Sequence, residues 1–236
     1  QLTKVDATLA KATVTEALNN SLGVLEDVAD DAIYTFDKEN GFNNPWNWMR
    51  PADYGVSAEF ISALTGNGFT SNTTMDARID YIATNPELPG LPYGHVSYSG
   101  ENSPVAGVII APDTRLPLLT SSYVYLHRAE AAARGWTSED AGAMLKAGIM
   151  NSYALGSGLY GVDITDGADY ADARVADMGT VAGGALRVIG EEKWVALFPQ
   201  GYDAWSEWRR TDYPKLTPAT DAINSGEIPR RYNYPE

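Results

Sequence analysis

Apolar residues recur at helical spacing in some stretches of this chain and without regular spacing in others. Leu186, Ile189, Val195 and Phe198 are compatible with one broad helical stripe, in a helix that starts near Val181 and is ended by Pro199 and Gly201. Asp203 to Trp208 then reads as a short helical turn, and Pro214 and Pro218 force an extended exit. Leu116 to Arg134 gives the clearest helix, with Leu119, Tyr123, Leu126, Ala129, Ala132 and Ala133 on one face and Gly135 as its stop. Thr137 opens another helix, with Asp140 three residues on in capping-box-like spacing, running through Met144, Leu145, Gly148 and Ile149 to about Tyr153. Small residues at Ala129, Ala133 and Gly148 let these two helices approach closely. Near the start, Thr3 to Asn19 is an amphipathic helix with an imperfect stripe of Val5, Leu9, Ala12, Ala17 and Leu18, and Asp6 is a candidate cap. Gly23 to Phe36, Ser57 to Leu64 with Ser57 as cap, and Thr73 to Thr84 are expected to hold shorter helices.

Between these lie segments rich in Asn, Gly and Pro. Asp37 to Tyr54 reads as a loop, Asn85 to Pro112 as the longest irregular region with Val105 to Ile110 as its best strand candidate, and Ala154 to Asp177 as a polar connection. The fold class this predicts is mainly α, with tetratricopeptide-like helix pairs and long irregular segments. One such pair cannot bury its apolar face alone, so the helices starting at Thr3 and Leu116 are expected to leave faces for further helices.

Size and charge narrow the function. The chain has 236 residues, enough for one large domain or two small ones. Its net charge of −14 argues against nucleic acid and against anionic lipid headgroups as partners. The absence of cysteine excludes disulfides, a Cys nucleophile, Cys-ligated zinc and a lipid-acceptor cysteine within the sequence. No run of eighteen apolar residues is present to span a bilayer as a helix.

Catalytic motifs are missing. The two histidines, His95 and His127, are in no HExxH; there is no GxSxG, no Walker loop and no GxGxxG between strand and helix. His127 is expected on a helix surface. Asp163, Asp166, Asp169 and Asp172 recur every third residue, which is not the EF-hand order; a solvated acidic face is preferred over a Ca²⁺ site. No catalytic residue, cofactor or metal is assigned. The informative residues are loop aromatics beside amides and Arg: Trp46, Asn47, Trp48, Tyr54, Arg78, Tyr93, His95 and Tyr98. Aromatic faces match the C–H faces of sugar rings, while Asn and Arg satisfy hydroxyls. Trp46 and Trp48 share one face if that stretch is extended, and diverge by roughly 200° if it is helical. The competing role for all these rings is to plug loops onto the helices. In the tail, Trp194, Trp205, Arg209 and Arg210 are assigned to holding the fold.

The C-terminal order of motifs, EEKWVALF, QGYDAW, EWRRTDYPKL and IPRRYNYP, closely resembles the end of SusD/RagB-type proteins. Ser57 to Leu64 fits that family's S-x-x-F-I-x-x-L, and Gly148 to Ser152 its GI-x-x-S; Asp76-Ala77-Arg78 carries Ala where the family commonly has proline. The resemblance implies a SusD-like α-α superhelix. It also implies a non-enzymatic, surface-exposed nutrient-binding lipoprotein of the Bacteroidetes outer membrane. Such a protein captures an oligosaccharide, or in some members a peptide, as the lid of a TonB-dependent SusC-like transporter. A glycan-active enzyme and a helical interaction module remain the alternatives. Family members are usually about twice this length, so residues 1–236 are expected to be the C-terminal portion of a single SusD-like domain, the N-terminal half with its lipid anchor being absent.

Overall fold

The computed structural model describes residues 2–50, 53–95, 98–164, 167–222 and 226–231. It is mainly α. Helices α1 (Leu2–Val5) and α2 (Ala7–Leu18) replace the single N-terminal helix that was expected. The break is Asp6, which adopts an extended backbone and accepts the Leu9 N–H at 2.9 Å as the cap of α2. Of α2 only Ala10 is buried; Val5 and Leu9 stay exposed.

The expected helix at Gly23 to Phe36 is a correction. Only a 3₁₀ turn, Val28–Asp30, forms there, followed by strand β1 (Ala32–Tyr34). This strand pairs antiparallel with β2 (Leu116–Leu119), the segment read as the first turn of the next helix. Two local facts explain it. Asp31 takes the Ser121 N–H at 2.6 Å, and Pro117 has no N–H to give a helix. Thr120 then caps helix α6 (Ser121–Ala133) through the Tyr123 N–H.

Ser57 caps α3 (Ala58–Thr65) as expected. Of Thr73 to Thr84 only α4 (Ile79–Ile82) is helical, because Asn72 and Asp76 bond the nearby N–H groups of Thr74 and Arg78 and compete with helix. Val105 to Ile110 is not a strand: Val105 makes one bridge to Ala83, and α5 (Gly107–Ile110) follows.

Helix α7 (Ala141–Tyr160) is capped by Asp140 and runs beyond Tyr153 to end at Gly161, which has φ +69°. Its glycines are interior contacts. A Cβ on Gly148 would sit 2.8 Å from Leu126, and one on Gly156 would sit 2.4 Å from the Tyr81 ring. Ala154 to Asp177 is therefore not a connection: most of it belongs to α7 and to α8 (Gly167–Thr180). Its periodicity escaped a hydrophobicity reading because the inward face is Tyr170, Ala171 and Arg174. Asp169 and Asp172 lie on the exposed face, with Lys146 2.5 Å from Asp172, while Asp166 lies outside the described residues.

The chain closes with α9 (Gly184–Ala196) and α10 (Gly201–Thr211), the latter much longer than the short turn expected. Helices α6 to α9 pack against one another around Leu126, Leu145, Ile149, Tyr153, Val188 and Ile189. A second core joins α3, α4 and α5 to the ends of α7 and α9 through Phe60, Leu64, Ile82, Ile109, Tyr160 and Val195. Among the described residues no helix is long and apolar enough to cross a membrane.

Candidate functional site

Two kinds of side chain could carry function here: interior charges and loop aromatics. The interior charges centre on Glu191, Glu192 and Lys193 of α9, all buried. Arg78 is fully enclosed and grips Asp76 at 2.6 Å, Glu192 at 2.7 Å and Ser152 Oγ at 3.1 Å. Arg174, equally enclosed, bonds Glu192 at 2.8 Å and Glu191 at 3.0 Å, and Arg187 reaches Glu191 at 2.9 Å. Tyr153 and Tyr170 donate their hydroxyls to Asp76 at 2.8 Å and Glu192 at 2.7 Å. Burial opposes the Glu192 charge, but the Arg78 and Arg174 guanidiniums outweigh it and hold its pKa below the usual carboxylate value.

Lys193 leads into a second cluster. Its ammonium lies 2.5 Å from Glu130, 3.3 Å from Glu207 and 3.0 Å from His127 Nδ1. Arg210 forks onto both carboxylates, at 2.5 Å from Glu130 and 2.6 Å from Glu207. His127 thus faces the interior, which corrects the surface placement expected for it. In both clusters each carboxylate is matched by cations and tied down by hydrogen bonds, so these groups hold the helices together. Arg78 belongs to this interior, with no exposed surface for a ligand to touch.

The remaining sequence-predicted residues do lie on loops. Trp46, Asn47 and Trp48 share a 3₁₀ turn, Pro45–Trp48, so the two rings diverge as a helical geometry requires. Asn44 fixes the turn: its Nδ2 donates to the Ile109 and Ala111 carbonyls at 2.8 and 3.1 Å, and its Oδ1 accepts the Trp46 N–H at 3.1 Å. Trp46 turns inward against Phe198, edge to face at 5.9 Å, while Trp48 is 77% exposed. Asn47 donates to the Ile110 carbonyl at 3.1 Å. Tyr54 is 49% exposed and Tyr98 42%; the His95 and Tyr98 rings lie 6.3 Å apart. Tyr93 borders an open cavity of about 1340 Å³, together with Trp208, Lys215 and the tail at residues 226–231.

That tail is strapped across α10. Trp205 Nε1 donates to the Pro229 carbonyl at 3.1 Å, and Arg209 donates to the Arg230 carbonyl at 3.0 Å while its guanidinium stacks 4.0 Å from the Trp205 ring centre. Arg230 covers the buried Trp208 at 4.6 Å and bonds Asp212 at 3.0 Å. The strap also lines a second cavity, of about 540 Å³, with Trp46, Tyr202 and Trp205. Trp46 and Tyr93 therefore border neighbouring spaces that share Ile228, Pro229 and Arg231 as a wall.

A SusD-like family profile, described as "Starch-binding associating with outer membrane", matches residues 1–235. The chain belongs to the SusD-like family. Solved structures agree on the fold. One titled a chitin-binding protein superposes with a TM-score of 0.80 at 24% identity, over 99% of this chain and 54% of that one. A SusD homologue from Bacteroides vulgatus gives 0.73 at 25%, over 97% and 51%. A structure titled a chitin-binding SusD homologue from Flavobacterium johnsoniae gives 0.71 at 24%, over 95% and 51%. This SusD-like chain thus spans about half the length of the solved structures it matches. No curated protein sequence matches it.

Within this SusD-like frame, sequence reasoning missed Tyr202 and Trp205 as cavity residues. The signal was available: both lie in the QGYDAW motif at i, i+3 spacing, which places them on one face of α10.

Proposed function

We propose that this chain is part of a non-enzymatic, glycan-capturing protein at the outer-membrane surface, and forms the C-terminal portion of a single SusD-like domain. The observation that carries the reading is the segregation of side chains. The interior Arg and Glu are saturated by one another, whereas Trp48, Tyr54 and Tyr98 keep large ring surfaces open to solvent on loops. Exposed rings on anchored loops are platforms for the C–H faces of sugars, and neighbouring amides such as Asn47 and the His95 imidazole supply polar contacts. Tyr93 adds a ring at the mouth of the tail cavity. The family's starch-binding description and the two relatives titled chitin-binding support an oligosaccharide ligand. A TonB-dependent SusC-like transporter is the partner this reading calls for, with a lipid anchor holding the complete protein at the membrane.

Calorimetric titration of chitohexaose and of maltoheptaose into the full-length protein tests the ligand class. Binding of either supports the reading, and Trp48→Ala is expected to weaken it with no change in Tm. Binding of neither, together with capture of a peptide pool, overturns it.

A further inference from the structure

We infer that the 540 Å³ cavity between Trp46 and the first turns of α10 is a second sugar subsite, where Tyr202 and Trp205 offer ring surface to a neutral pyranose. The inference rests on the glycan reading above and extends it to residues outside the two loop segments.

Helix α10 sorts its aromatic residues. Trp208 is 4% exposed and belongs to the core, whereas Tyr202, two turns earlier, is 76% exposed. A single exposed ring is ordinary on a protein surface; what marks Tyr202 is that it lines one space together with the Trp46 and Trp205 rings. Tyr202 and Trp205 are three residues apart and share a face, and Trp46 approaches from a different part of the chain to line the same space. Pro199 and Pro229 complete the lining with flat, rigid surfaces.

The walls are set before any ligand arrives. Trp205 is clamped between its hydrogen bond to Pro229 and the Arg209 guanidinium. Trp46 is fixed by Phe198 and by the Asn44 bonds that hold its turn. Such preorganisation lowers the ordering cost of binding.

Shape and charge choose the ligand. The cavity is within the ~300–1,000 Å³ typical of small-molecule sites, with an aromatic lining and few polar groups. Among the described residues no carboxylate lines it, which disfavours a cation. The protein's net charge of −14 repels an anionic chain, and among the described residues Arg231 is the one charged residue in the lining. A neutral ring with apolar C–H faces and a hydroxyl rim satisfies all three constraints. Because Trp46 belongs to the same turn as Trp48, one oligosaccharide chain can continue from the exposed loop face into this cavity.

The test uses the full-length protein with chitohexaose and maltoheptaose as probes. Tyr202→Ala is the primary variant, since an exposed ring can be removed without unfolding, and its Tm is expected to match the parent. Its affinity should fall about tenfold or more, as for loss of a ring stacked on a planar ligand. Tyr202→Phe, which keeps the ring, should bind as the parent does. If the parent binds and Trp48→Ala weakens it while Tyr202→Ala does not, the subsite is overturned and the glycan reading stands. If the parent binds neither probe and captures a peptide pool instead, both fall.

Discussion

Helix α9 and the first turns of α10 follow one another, yet they turn different side chains to opposite surroundings, while Glu207 and Arg210 farther along α10 join the α9 interior. On α9, Glu191, Glu192 and Lys193 point inward, where Arg78, Arg174, Glu130 and Arg210 meet them. On the first turns of α10, Tyr202 and Trp205 point toward open space. The lesson concerns cost. A buried charge is tolerable only when every partner is present, so the α9 system is fixed by the fold and has nothing left over for a ligand. An exposed ring has no such obligation, and its surface remains available.

The largest effect follows from removing one member of the interior system. Glu192→Ala should leave Arg78 and Arg174 undercompensated and cost about 3–5 kcal/mol of stability, read by denaturant unfolding. Arg78→Ala should do the same. If Arg78→Ala kept full stability and lost only glycan affinity, the line drawn between the two regions would be wrong, and Arg78 would return to the ligand face.

Much of the helical framework was legible in the sequence, and the exceptions have causes. The α6 and α7 pair showed itself through period and caps, because Leu126, Leu145 and Ile149 are both apolar and inward. Helix α8 was hidden because its inward face is Tyr170 and Arg174, an aromatic and a cation that a hydrophobicity pattern does not count. Strand β1 was hidden because its partner β2 lies far along the chain, and short strands are specified by pairing. The loop tryptophans stood out by type. Arg78 misled for the same reason: a cation in an irregular segment looks like a ligand contact until its buried partners Asp76 and Glu192 are seen.

Acid should loosen the same interior, acting through the Lys193 cluster. Burial, reinforced by the Lys193 ammonium, pushes the His127 imidazole down from 6.5 to about 3. The unfolded chain takes up that proton first, so stability falls as pH drops from above 6.5 toward 3. Burial opposes the Glu207 charge, but Lys193 and Arg210 outweigh it and hold the carboxyl down from 4.5 to about 2. Its contribution is complete above 4.5 and is lost as pH falls through about 2. Both signs agree, so Tm should decline steadily from pH 7 to pH 3. A Tm that rose across that range would contradict the account.

Trp205 sits on the boundary between the regions and should show both behaviours. Trp205→Ala removes cavity surface and the anchor of Pro229, and is expected to lower both Tm and affinity. Arg209→Ala removes only the stacked cation and its hold on Arg230. A loss of about 0.5–2 kcal/mol of stability, with affinity changed little, is the expected result from thermal melts run beside titrations.

The most direct test is calorimetric titration of chitohexaose and maltoheptaose into full-length Trp48→Ala beside the parent, with Tm measured on both. The account predicts an unchanged Tm and a loss of about 1–3 kcal/mol in binding the oligosaccharide that the parent takes, by analogy with stacking on other planar ligands. Parent-like affinity in Trp48→Ala, or a lowered Tm with affinity intact, would contradict the claim that the charges hold this fold and the loop rings bind its ligand.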